Sequence, residues 1–263
     1  MKKFFADIKK FKGYVAYATR AELKAEVAGS FLSWVWWILD PLLYMLVYSF
    51  IAILVFRSGE PYFPVFVFIG LNCWQFFAKS VKASVKLVAS KRAVVTKVYI
   101  PKHLLVLEKL GVFAFKMLVS FGLTVIFMIA YRVPVNFNVL WVIPLLLLLF
   151  MVTYAVCLFL MHFGVFIEDL ANIINVVLQL GFYVSGIFYS IENRISGYSV
   201  LLAKILVNVN PQALIITDMR TALMGSGEIH YIALAVWFLV ATAVVWVATN
   251  VIYKYENSYV KIA

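Results

Sequence analysis

Charge is scarce in this sequence. Of 263 residues only 13% are Asp, Glu, Lys or Arg, while 65% are apolar. A soluble domain carries about 25% charge and about 45–50% apolar residues, so the composition excludes a soluble enzyme and a disordered tail. Cysteine is nearly missing. Cys73 and Cys157 sit inside apolar runs without metal-ligand spacing. That excludes a secreted disulfide scaffold, and both read as small core hydrophobes. The three histidines, His103, His162 and His230, are scattered and form no H-E-x-x-H; they read as structural or interfacial. No glycine leads into a G-x-x-x-x-G-K-[ST] phosphate loop, so this chain does not hydrolyse ATP by itself. Its 12 acids are spread thinly and supply neither a paired ion relay within the membrane nor a catalytic cluster at one interface. Only Asp40 lies clearly within an apolar run. Followed by Pro41, it reads as satisfying the backbone of a kinked helix rather than binding a substrate.

Long apolar runs are what the chain has instead, at a mean hydropathy of +0.98. A helix needs roughly 20 apolar residues to cross the hydrocarbon core. Six such spans are predicted, at about 31–56, 61–82, 105–131, 139–166, 171–191 and 229–253. The fold class is therefore all-α and integral to the membrane, with no room for a large soluble domain. Residues 1–30 lack the apolar core of a signal peptide. Phe4, Ile8, Phe11 and Val15 fall on one helical face, with Lys3, Asp7, Lys9 and Lys10 largely off it. This predicts an amphipathic helix lying in the membrane surface, ended by Gly29-Ser30 and followed by a transmembrane domain over 31–263. With six spans, 18 basic residues fall on the side of the two termini and five on the other. That bias predicts cytoplasmic termini. The net charge of +11 points to cytoplasmic loops and anionic membrane lipid rather than nucleic acid.

The connection from Ser196 to Gly227 is apolar but interrupted by Asn210-Pro211. It predicts a pair of short helices, a re-entrant hairpin on the outer side that needs protein cover or a wet cavity. Aromatic residues reach 17% of the chain. Trp37, Tyr44 and Tyr48 share a face of the first span, and Phe182, Tyr183, Phe188 and Tyr189 cluster in the outer half of the fifth. Such rings suit either belt packing or sliding contact with sugars. Lys79, Lys82 and Lys86 form a stripe where the second span leaves the membrane, continued by Lys91, Arg92, Lys97 and Lys102. The stripe reads as contact with lipid headgroups, guidance of a phosphate-bearing lipid or docking of an acidic partner. Lys116, two turns into the third span, is expected to snorkel to the cytoplasmic surface. The turn Glu168-Asp169 is acidic, either a helix N-cap or a contact for a basic groove on a partner protein.

Four stretches then carry a family resemblance. They are Ser30-Phe-Leu-Ser-Trp-Val-Trp-Trp-Ile-Leu-Asp-Pro-Leu-Leu-Tyr-Met-Leu-Val47, Phe66-Val-Phe-Ile-Gly-Leu-Asn-Cys-Trp-Gln-Phe-Phe-Ala78, Thr96-Lys-Val-Tyr-Ile-Pro-Lys102, and Asn210-Pro-Gln-Ala with Arg220-Thr-Ala-Leu-Met-Gly225. In order and spacing the chain resembles the permease subunit of ABC-2 type polysaccharide exporters, the group that carries O-antigen, teichoic acid and capsule chains. One departure is visible: Phe166-Ile-Glu-Asp-Leu170 has no basic residue beside its acids, where the family usually has one.

The resemblance implies a homodimer in the cytoplasmic (inner) membrane, served by two copies of an ABC ATPase subunit that binds ATP and Mg; this chain itself has no cofactor. It implies transmission through the N-terminal helix, the loop with Ser90, Thr96 and Lys97, and the turn with Glu168 and Asp169. The passenger implied is a glycan on a polyprenyl pyrophosphate carrier, as in lipopolysaccharide biosynthesis. Lys82, Lys86, Lys91 and Arg92 are then the expected pyrophosphate contacts. Trp37, Tyr44, Tyr48, Phe182, Tyr183 and Tyr189 are the expected glycan path. The alternatives are an exporter of teichoic acid, capsule, drugs or small lipids, and a membrane enzyme acting on polyprenyl phosphate.

Overall fold

The computed structural model describes residues 2–28, 32–54, 60–195, 197, 199–225 and 227–262. The described residues contain no strand; the elements are α1 (Lys2–Ala28), α2 (Trp36–Leu54), α3 (Phe63–Val85), α4 (Leu87–Ser90), α5 (Arg92–Val95), α6 (Lys102–Ala130), a 3₁₀ turn at Phe137–Trp141, α7 (Val142–Phe166), α8 (Leu170–Val184), α9 (Ile191–Ile195), α10 (Val200–Val209), α11 (Pro211–Met224) and α12 (Tyr231–Ile262).

Helix α3 is the central pole. It opens with Tyr62 in the left-handed region (φ 49°) and Pro64 in its first turn, where a missing N–H costs nothing. Its residues from Val65 to Trp74 are all buried, because α2, α6, α7, α8 and α11 all pack on it. Gly164 on α7 lets the backbones meet: a Cβ there would sit 1.9 Å from the Val85 carbonyl oxygen. Cys73 and Cys157 are buried free thiols within this core.

Phe4, Ile8, Phe11 and Val15 of α1 pack against the bundle, while Lys9, Lys10 and Lys12 stay exposed, the expected amphipathic split. The expected break at Gly29-Ser30 lies outside the described residues.

Among the described residues four helical segments are long and apolar enough to cross a membrane, Phe63–Val85, Lys102–Ala130, Phe137–Phe166 and Tyr231–Glu256, and a fifth if the bent pair α10 and α11 counts as one span. Two further apolar stretches, Trp36–Ile51 and Leu170–Val184, are shorter. At 15 residues, α8 covers only about 22 Å of the roughly 30 Å hydrocarbon thickness. It stops well before the expected boundary at 191, because Gly186 turns the chain with φ 67°. The first expected span also starts late: residues 32–35 form turns, and helix begins at Trp36.

Helices α10 and α11 meet at a bend of 101°. Asn210 makes the corner. Its Oδ1 accepts from the backbone N–H groups of Gln212 (3.0 Å) and Ala213 (3.3 Å), and Pro211 occupies the first helical position. Residues 212–216 and 218–224 of α11 are all buried, against α3, α7 and the 3₁₀ turn. The freed backbone at the bend thus has protein cover.

Candidate functional site

The rings expected to act together divide into two places. Tyr44 and Tyr48, one turn apart on α2, stack at 6.1 Å. Tyr48 meets Phe188 at 4.4 Å and Phe182 at 5.8 Å, and Phe182 meets Tyr183 at 5.5 Å. Trp74 of α3 reaches Phe182 at 5.9 Å; Gly181 makes room, since a Cβ there would lie 3.0 Å from the indole. Tyr189 belongs to the same cluster through its hydroxyl, which donates to the Tyr183 carbonyl at 2.8 Å. Tyr44 and Tyr183 remain exposed. The cluster is therefore a partly open aromatic surface shared by α2, α3 and α8.

Trp37 lies apart. Its ring meets Phe115 edge-on at 5.9 Å and sits 5.7 Å below the Lys116 ammonium. It lines a cavity of about 430 Å³ between the end of α1, α2, α3 and α6. Two ion pairs face this cavity: Asp40 with Lys79 at 2.7 Å, and Glu26 with Lys116. The sequence reading of Asp40 needs correction here, while the pairing of Lys116 agrees with a side chain that reaches toward the surface helix. Asp40 gives its carboxylate to a lysine on a neighbouring helix rather than to the Pro41 kink. Lys116 is met by Glu26 of the surface helix. Deeper in, Asn72 donates to Thr124 Oγ1 at 2.9 Å and accepts from Ser120.

The basic stripe is also not uniform. Lys82, Lys86, Arg92 and Lys97 are exposed. Lys91, expected to meet pyrophosphate, is partly exposed and paired with two carboxylates, its Nζ 2.6 Å from Glu108 Oε1 and 3.3 Å from Glu22 Oε2. Glu22 also pairs with Lys109. Tyr14 Oη donates to Glu108 Oε2 at 3.2 Å, and Thr19 Oγ1 donates to the Glu108 carbonyl at 3.2 Å. Gly111 permits this approach of α1, since a Cβ there would lie 2.9 Å from Thr19 Oγ1. Burial alone would lower the Lys91 pKa, but Glu108 and Glu22 outweigh it and the ammonium is held above its usual range. The network ties three parts together: α1, the loop between α4 and α5, and α6. Lys102 is buried and donates to the Ile100 carbonyl, so it leaves the stripe too.

Of the residues expected to face an ATPase, Ser90 and Thr96 are exposed, but their hydroxyls donate to Leu87 and Arg92 carbonyls at 2.9 and 2.8 Å. Glu168 and Asp169 are exposed. Asp169 stands at the N-cap of α8 without a side-chain capping bond, so both carboxylates face outward.

At the other end of the bundle, Arg220 is only 5% exposed and donates three hydrogen bonds: to the carbonyls of Phe66 (3.0 Å), Gly186 (2.8 Å) and Ile187 (2.6 Å). Its guanidinium lies 3.4 Å over the Phe66 ring. His230 stands between two acids, with Nδ1 2.7 Å from Asp218 and Nε2 3.2 Å from Glu192. Both ring nitrogens must donate, which requires the imidazolium. The bond to Asp218, then that to Glu192, raise its pKa to about 10 against burial. Asn193 beside it donates to Glu60 at 3.1 Å. Glu108, Glu22 and the His230 acids carried no sequence signal, because their partners lie far away along the chain.

No protein-family model matches the chain. Relatives do. The chain is 28% identical over 215 residues, 81% of its own length and 80% of the relative's, to the O-antigen export system permease protein RfbA of Myxococcus xanthus. It is 24% identical over 245 residues, 93% of its length and 92% of the relative's, to the protein of the same name from Klebsiella pneumoniae. A second Klebsiella pneumoniae protein of that name is 23% identical over the same extent. The apolar helices and relatives matched along most of the chain fit a multi-pass membrane protein, and the chain is similar to O-antigen export permeases.

Proposed function

We propose that this chain is the membrane half of an ATP-driven exporter that moves a polysaccharide, linked to a lipid pyrophosphate, across the cytoplasmic membrane. The passenger we assign is O-antigen. The names of three relatives covering most of the chain carry this reading. The aromatic surface of Tyr44, Tyr48, Phe182 and Tyr183 supports it physically. Tyrosine rings present an apolar face and a polar tip, as a sliding sugar chain requires.

In this reading six segments cross the membrane. The four long ones are joined by α2 and α8, whose short reach is met by local thinning or a wet path. Helices α10 and α11 form an outer re-entrant hairpin, and both termini are cytoplasmic. Two copies form one pore above two ATPase subunits, which bind ATP and Mg. The exposed Lys82, Lys86 and Arg92 meet the pyrophosphate, whose charge cannot cross hydrocarbon cheaply. Lys91 instead secures the loop to α1 and α6 through Glu108. Nucleotide binding beneath biases the bundle between two states. The loop with Ser90, Thr96 and Lys97 and the turn with Glu168 and Asp169 transmit that motion. Trp37 faces the carrier at the cavity near α1, and the remaining rings line the glycan path.

Deleting the gene and analysing carrier-linked glycan tests this. Accumulation of a complete lipid-linked polysaccharide inside the cell, with its loss from the surface, is the expected result. Unchanged surface glycan with altered drug tolerance would assign the chain to small-molecule export.

A further inference from the structure

The exposed surface of helix α8 is divided between polar and apolar arcs, with exposed Val176 between them. At about 100° per residue, Ile173, Val177, Leu180 and Val184 fall on one arc, and Asn172, Asn175, Gln179 and Tyr183 on another roughly 120° away. All eight are exposed, and Leu178, on the remaining side, is buried. The three amides span about 10 Å along the axis. None of their side chains has a partner among the described residues.

Two exposed arcs of opposite character on one membrane helix have different surroundings. Ile173, Val177, Leu180 and Val184 are at home in lipid. Amides in hydrocarbon lose their hydrogen bonds to water with nothing in return. Their arc runs directly into Tyr183, and from there into the cluster of Phe182, Tyr48 and Tyr44. An amide both donates and accepts without charge, as a sugar hydroxyl does. It therefore holds a hydroxyl and releases it without the desolvation penalty of an ion.

We infer that Asn172, Asn175 and Gln179 face a hydrated path and contact the hydroxyl groups of the passing glycan, upstream of the aromatic cluster. The occupant rests on the exporter reading; the water access does not. A second copy of this chain pairing amide to amide is the competing occupant. The continuity of the arc with an open aromatic surface favours the path.

Single cysteines at 172, 175 and 179, and at 173, 177 and 180 as lipid-facing controls, test the inference in membranes with a charged, water-soluble thiol reagent. Cys73 and Cys157 are buried and give a silent background. A thiol reacts as thiolate, which forms in water. The amide positions are expected to label at least about tenfold faster than the controls. Equal rates at both sets overturn the inference, and so do disulfides between copies at 172, 175 or 179 without labelling. A second measurement reads the cargo. Replacing all three amides by Leu is expected to reduce glycan export about tenfold or more, with assembly and ATP hydrolysis retained and Ser at the same positions restoring export. Normal export by the Leu variant overturns the sugar contact. Labelling needs no cargo, so a failure of the exporter reading leaves the water-access result readable.

Discussion

Lys91 Nζ lies 2.6 Å from Oε1 of Glu108, a carboxylate that is 1% exposed. That pair joins the loop between α4 and α5 to α6, and Glu22 and Tyr14 extend it to α1. A buried charge that loses its partner costs more than the pair contributes. Glu108→Gln is therefore expected to lower stability by about 2–4 kcal/mol. It should also raise amide hydrogen exchange in residues 2–28 before the rest of the bundle. Unchanged exchange in α1 would mean that the apolar face of α1 alone holds it.

His230 predicts a pH dependence. Its pKa is raised to about 10 in the fold, from about 6.5 in an unfolded chain. The folded state binds the extra proton, so the contribution is whole below about pH 6.5 and is lost as pH climbs through about 10. Glu192 acts in the other direction: His230 holds its pKa below the usual carboxylate value, so its contribution is present above about pH 4.5 and fades as pH falls below that. Thermal unfolding of the purified protein should fall between pH 7 and 10, and His230→Gln should flatten that slope. An equal slope in the variant would remove His230 from the effect.

Arg220 satisfies three carbonyls on two segments, α3 and the turn after α8. Lysine has the charge but not the planar fork. Arg220→Lys leaves carbonyls unpaired in the core and is expected to cost about 3 kcal/mol. Partial loosening of residues 185–189 should appear in limited proteolysis at that turn. A fully stable variant would mean that the turn holds without the clamp.

Gly164→Ala tests the crossing of α7 and α3. Its Cβ would meet the Val85 backbone oxygen at 1.9 Å. Backbone cannot move aside as a side-chain tip can, so the expected loss is about 3 kcal/mol or more, read as melting temperature and folded yield.

For the path, Tyr44→Leu with Tyr48→Leu keeps apolar bulk and removes the hydroxyls and part of the ring surface. Each ring contact is worth about 0.5–1.5 kcal/mol. Export is thus expected to fall about tenfold with assembly intact. Export at the normal rate would take these tyrosines out of the path.

Much of the helical layout was legible because hydrophobic runs and turn residues act locally. Asn210-Pro211 marks a corner wherever it stands, and Phe4, Ile8, Phe11 and Val15 define a face by spacing alone. The amide arc of α8 was equally legible, at i, i+3 and i+7, but is easily overlooked inside a charge-free run. The grouping of Trp37 with Tyr44 and Tyr48 followed from a shared helical face. The structure separates them along α2, because what each ring meets depends on the neighbouring helix at its own height. The lysine stripe shows the same limit. Lys82 and Lys91 look alike in the sequence, yet only Lys91 is met by carboxylates from α1 and α6.

By itself the sequence determined that the chain is an all-helical membrane protein, with an amphipathic N-terminal helix and a broken segment at Asn210. Charge scarcity and apolar run length require no partner to act. Only the tertiary structure decided which polar groups are spent within the bundle and which remain open. Asp40, Lys91, Lys116, Arg220 and His230 find partners 12 to 154 positions away. An ion pair or hydrogen bond depends on distance in space, which helix packing sets and spacing along the chain does not.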